Sequence, residues 1–142
     1  MPKRCRFTPL AAITLCSALN AACVASPEDV ARLSADHSLD QRSDRGLVEA
    51  IVSLDGSAIA RGPNDFSIRL RAAESQASPV LTSVEASMAA HGHHASVSSI
   101  LSDGETFRAL GLDLFMSGRW QVVLGVELED SSDLVEFALD VP

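Results

Sequence analysis

Three of the four histidines in this chain fall in one short run, Ser87-Met88-Ala89-Ala90-His91-Gly92-His93-His94, together with one of its three methionines. Neutral imidazole is a ligand for copper and zinc, and thioether sulfur is soft and favours Cu(I). In an extended backbone, His91 and His93 point to one side and His94 to the other. A loop relaxes that restriction and lets His94 join them. Met116, just before Ser117-Gly118, is the natural second sulfur donor if two strand ends meet there. A set of His91, His93 and His94 with Met88 or Met116 suits copper, and Cu(II) could use the imidazoles without the sulfurs. The competing reading is a polar turn written in imidazoles. Met88 then continues the apolar face of its strand and Met116 flanks a core strand, both as packing residues.

The rest of the chain is quiet about chemistry. It holds no Gly-x-Ser-x-Gly elbow, no phosphate-cradling loop and no dinucleotide fingerprint. Glu127, Glu129 and Asp130 sit where a strand runs into a turn, a normal place for solvated carboxylates. No catalytic residue is assigned, and the chain is expected not to be an enzyme.

The N-terminus reads as an export signal. Met1-Pro2-Lys3-Arg4-Cys5-Arg6-Phe7 is a basic head, followed by an apolar run and then small residues through Ala25. The apolar run is too short for a membrane span of about 20 residues. Two maturation routes are open. Leu19-Asn20-Ala21-Ala22-Cys23 resembles a lipoprotein box, which would make 1–22 the signal and Cys23 the lipidated first residue. Alternatively the signal is 1–25 and cleavage follows Ala25. On either route the exported protein is periplasmic or held to the membrane by a lipid, and no internal disulfide can form because at most Cys23 remains.

Loss of the signal removes Lys3, Arg4 and Arg6, leaving eight arginines, no lysine and nineteen acidic residues, a formal charge of −11. Such a surface repels nucleic acid and anionic headgroups, so membrane contact is expected only through a lipid on Cys23. Residues 26–45 are charged, with scattered apolar positions, and read as an acidic flexible tether in which His37 is simply exposed.

From Gly46 the pattern becomes alternation. Phe66, Ile68, Leu70 and Ala72 fall on one face, with Ser67, Arg69 and Arg71 on the other, the period of a half-buried strand. Trp120, Val122, Leu124, Val126 and Leu128 repeat it, as do Val135, Phe137, Leu139 and Val141. Weaker runs follow Val48, Ala50, Val52 and Leu54, then Val80, Thr82, Val84 and Ala86, then 95–101 and 105–115. Turn signals such as Asp55-Gly56, Ser102-Asp103-Gly104 and Asp130-Ser131-Ser132-Asp133 separate them. About seven short strands at this spacing predict an all-β fold, an immunoglobulin-like antiparallel β-sandwich over 46–142, with Trp120 in its core.

Four motifs occur in order: Gly62-Pro63-Asn64-Asp65-Phe66, Met88-Ala89-Ala90-His91-Gly92-His93, Asp103-Gly104-Glu105, and Leu114-Phe115-Met116-Ser117-Gly118-Arg119-Trp120. In this order the domain resembles the YtkA-like and FixH-like domains of exported bacterial proteins. Ala89 stands where that family usually has proline, and His94 where it often has glycine. The resemblance implies the same sandwich and an association with copper handling or oxidase assembly. It implies no reaction. Two expectations therefore stand side by side. One is an exported module handling copper through His91 and His93 with a methionine. The other is a metal-independent module that docks a cell-envelope protein.

Overall fold

The computed structural model describes residues 31–33, 38–74 and 77–142. The expected export signal over 1–25, Cys23 and His37 lie outside them. Among the described residues there are nine strands: β1 (Ser38–Arg42), β2 (Val48–Leu54), β3 (Gly62–Ala72), β4 (Val80–Met88), β5 (His93–Ser96), β6 (Ser99–Asp103), β7 (Thr106–Leu114), β8 (Gly118–Leu128) and β9 (Ser131–Val141). They form two antiparallel sheets, ordered β1-β2-β3-β7-β6 and β5-β4-β8-β9. The fold is the expected immunoglobulin-like β-sandwich.

Alternation builds the core directly. The apolar positions predicted to face inward on β2, β3, β8 and β9 are all buried, Trp120 completely so. They interleave between the sheets with Val84, Ala86 and Met88 of β4 and Phe107, Ala109, Leu112 and Leu114 of β7.

Where the alternation was weak in the sequence, the backbone is irregular. The β4–β8 register shifts between Leu81 and Ser83, so Leu81 is buried while Val80 and Thr82, expected inward, are exposed. The β3–β7 register shifts between Asn64 and Phe66, and the inward set of β7 accordingly changes parity between Ala109 and Leu112. One extra residue on one strand moves every later side chain to the other face, which blurs a simple period-two pattern.

Two further differences separate structure from expectation. The run 95–101 is two strands: Val97 N–H still bonds Val84 C=O in one sheet, and Ser98 N–H bonds Leu110 C=O in the other. The expected tether over 26–45 contains β1, whose five residues pair with β2 from Ser38↔Ser53 to Arg42↔Glu49. Ladder hydrogen bonds do not require apolar side chains, and only Leu39 packs on the core from this strand. Ala31–Leu33 also takes part: Ala138 N–H donates to Ala31 C=O at 2.8 Å and Leu33 N–H to Ala138 C=O at 3.3 Å, a parallel addition to the edge of β9.

The registers Gly118↔Val141, Gly62↔Leu114 and Met88↔His93 define one end of the sandwich. The β4–β5 turn and the β7–β8 turn both lie at this end. The β1–β2 and β8–β9 turns lie at the other.

Candidate functional site

The histidine run folds as the tip of a hairpin. Met88 pairs with His93 and Ser87 with His94, leaving Ala89–Gly92 as a four-residue turn. His91 N–H donates to Met88 C=O at 3.1 Å, and Gly92 takes φ +65° to bring the chain back into β5. A side chain at Gly92 meets no atom within 4 Å, so its backbone conformation alone sets the penalty of substitution. Gly92→Ala is expected to lower stability by about 1–2 kcal/mol in denaturant unfolding, with Gly92→Asn less costly because asparagine tolerates the left-handed region.

The alternation of β5 then decides where the imidazoles go. His93 is half-buried and shares the inward face with Met88, its direct cross-strand partner. His94 is exposed on the outer face, in the position opposite Ser87. His91 is exposed in the turn, and its ring lies 6.1 Å from that of His93, at 29° between planes. The hairpin thus brings His91 and His93 together and sends His94 away.

The β7–β8 turn supplies the opposing wall. Phe115 meets His93 edge-to-face, with centroids 5.2 Å apart and planes at 74°. It meets Trp120 in the same way at 5.4 Å and 79°. Trp120 donates its indole N–H to Met116 C=O at 3.0 Å, and the Met116 side chain packs partly buried against the core. Met88 is buried, and its methyl lies so near Gly118 that a Cβ there would come within 3.3 Å of it. His91, His93, Phe115 and Trp120 form one continuous line of rings from solvent to core, with the buried Met88 opposite His93.

This donor set discriminates between ions. Among the described residues, no three His, Cys, Asp or Glu side chains gather into a metal-binding group. The His91 and His93 rings have centroids 6.1 Å apart, within reach of one ion at the ordinary nitrogen–metal distance of about 2 Å only if the side chains turn their nitrogens toward each other. If a thioether were the third donor, with no carboxylate, the set would suit a soft monovalent ion better than Zn(II) or Cu(II). His94 does not belong to the set.

Two polar residues that the sequence did not single out hold the loops at either end. Asn64, buried at the histidine end, donates its amide to Ala60 C=O and Gly62 C=O, both at 2.8 Å, and accepts from Ala60 N–H at 3.1 Å. At the far end the buried Asp133 accepts from the Ser43 hydroxyl at 2.6 Å and from the backbone N–H of Leu134, Arg45 and Leu47 at 2.9, 3.0 and 3.2 Å. Burial pushes its pKa up, but these four donors outweigh that effect and hold it below the ordinary value. The nearby groove, lined in part by Arg42, Arg45, Glu74, Glu129 and Asp130, is remote from the histidines. The sequence signal for Asp133 was only its place in a turn cluster.

Compared with known family models, with curated proteins and with solved structures, the chain matches none.

Proposed function

We propose that this chain is a non-enzymatic, exported β-sandwich module that holds a copper ion, in its monovalent state, at the rim formed by the β4–β5 and β7–β8 turns. His91 and His93 are the imidazole ligands in this reading, with the thioether of Met88 as the third donor. The observation that carries it is the ring contact of His91 with His93 on one hairpin tip, where His93 pairs across the strands with a buried methionine. The resemblance to YtkA-like and FixH-like domains points the same way, on the strength of its four motifs. Copper would supply the affinity for soft donors and for partners that exchange it. The protein's part is to present two nitrogens and a sulfur from a stiff scaffold and to keep carboxylates away. Export, through either maturation route, puts such a module in the cell envelope.

The test is thermal unfolding of the purified full chain titrated with Cu(I) under anaerobic reducing conditions, then with Cu(II) and Zn(II). A ligand that binds only the folded state adds about 2.7 kcal/mol at 100 times its dissociation constant. The expected result is a saturable one-to-one rise in Tm for Cu(I), abolished by the His91→Ala/His93→Ala double substitution and unaffected by His94→Ala. Equal Tm with and without copper would sink the reading. It would favour the metal-independent docking module, for which the exposed aromatic ring of Phe115 at the same rim is the specific observation.

A further inference from the structure

We infer that Phe115 is the positioning residue of the rim: its ring fixes the orientation of the His93 imidazole and thereby sets how tightly the site holds a monovalent soft ion. This inference rests on the copper reading above.

Phe115 is 44% exposed, an unusual place for a phenyl ring in a sandwich whose other phenylalanines among the described residues are buried. Its two ring contacts account for the position. One edge meets His93 and the other contact meets Trp120, both close to perpendicular. Trp120 cannot move: it is completely buried, and its indole N–H is bonded to the carbonyl of Met116, the residue after Phe115. The backbone that carries Phe115 is therefore tied to the core on its C-terminal side, and Leu114, fully buried, ties it on the other. The histidine side is different. His93 opens a strand of four residues next to an exposed turn, and the second side-chain torsion of histidine is broad when nothing confines it. Phe115 transmits the rigidity of the core to an imidazole whose other ring contact, His91, lies in the exposed turn. Hydrogen-bonding partners that orient a metal-binding histidine typically govern affinity by about 10- to 100-fold, and Phe115 holds His93 by ring packing instead.

The test compares the full-length wild type with Phe115→Leu, Phe115→Ala and Phe115→Tyr. Ag(I) serves as a monovalent soft probe without redox chemistry, its affinity measured by competition with a chelator and followed by Trp120 fluorescence. Leucine keeps apolar cover over Trp120 and loses the ring, whereas tyrosine keeps the ring. The expected result is Ag(I) affinity weakened about tenfold or more in Phe115→Leu and Phe115→Ala, and within about threefold of wild type in Phe115→Tyr. In the metal-free proteins, the ring-proton resonances of His93 should lose their ring-current shift in Phe115→Leu and keep it in Phe115→Tyr. Equal Ag(I) affinity in wild type and Phe115→Leu overturns the inference while leaving the copper reading intact. No Ag(I) binding by wild type overturns both. Unchanged His93 resonances in a weakened Phe115→Leu would mean the residue acts by covering the core, which also contradicts the inference.

Discussion

Trp120→Ala is expected to destabilise the domain by about 3–5 kcal/mol, the range for removing a buried large aromatic. In a domain of this size each kcal/mol is worth about 4–8 °C, so Tm should fall by more than about 10 °C. The effect should exceed that of a comparable core truncation because two things are lost. The cavity opens between the sheets where Trp120 is fully buried, and the Met116 carbonyl loses its 3.0 Å hydrogen bond, which frees the β7–β8 turn. Trp120→Phe separates the two contributions: it refills most of the cavity and omits the N–H, and should cost about 1–2 kcal/mol. A Trp120→Phe variant as unstable as Trp120→Ala would show that the hydrogen bond, rather than the packing, dominates.

The second large effect is expected at Asp133. Each of its oxygens accepts two donors, Oδ1 from Arg45 and Leu134 and Oδ2 from Ser43 and Leu47. Asparagine has one acceptor atom and one donor group, so its amide N–H₂ must face either the Arg45 and Leu134 N–H groups or the Leu47 N–H and the Ser43 hydroxyl, of which only the hydroxyl can turn to accept. Asp133→Asn should therefore lower stability by about 2–3 kcal/mol near neutral pH despite its equal size. The sign of the pH dependence follows from the lowered native pKa. The carboxylate's contribution is complete above its unfolded value near 3.8 and is lost as the pH falls through the lower native value. The stability difference between wild type and Asp133→Asn, measured by urea unfolding, should thus shrink on acidification below about pH 4. A gap that stays constant down to pH 2 would mean that the carboxylate charge contributes nothing.

How much of this was legible in the residues depended on whether a feature has a period. β2, β3, β8 and β9 keep strict alternation over their inward positions, and there the burial follows the sequence residue by residue. β4 and β7 each carry a bulge, which reverses the parity partway and makes the same alternation look weak or wrong, as at Val80 and Thr82. β1 was invisible because an edge strand held by backbone hydrogen bonds leaves little apolar signature in Ser-Leu-Asp-Gln-Arg. The switch between sheets at Val97-Ser98 has no local signal at all, since it depends on which carbonyls, Val84 or Leu110, lie within reach.

The rim was legible in the same uneven way. The separation of His94 from His91 and His93 follows from strand alternation once β5 is known to begin at His93. The meeting of the Met116 turn with the histidine hairpin was expected only on the condition that two strand ends come together, and the order β5-β4-β8-β9 meets it. Phe115 stands in a motif that does not by itself assign it a role, because an exposed phenylalanine acquires meaning only from the rings it touches. Met88 looked like either a ligand or a core residue. It is buried in the core and directly opposite His93, so the two descriptions are not exclusive.

Copper K-edge X-ray absorption on the chain loaded with one equivalent of Cu(I) tests the central proposal most directly. The expected spectrum shows a shell of imidazole nitrogens together with one sulfur, the sulfur lost in Met88→Leu and kept in Met116→Leu. A nitrogen-only or oxygen-containing shell, unchanged by Met88→Leu, would contradict it and leave the histidines as an adventitious binder on a hairpin tip.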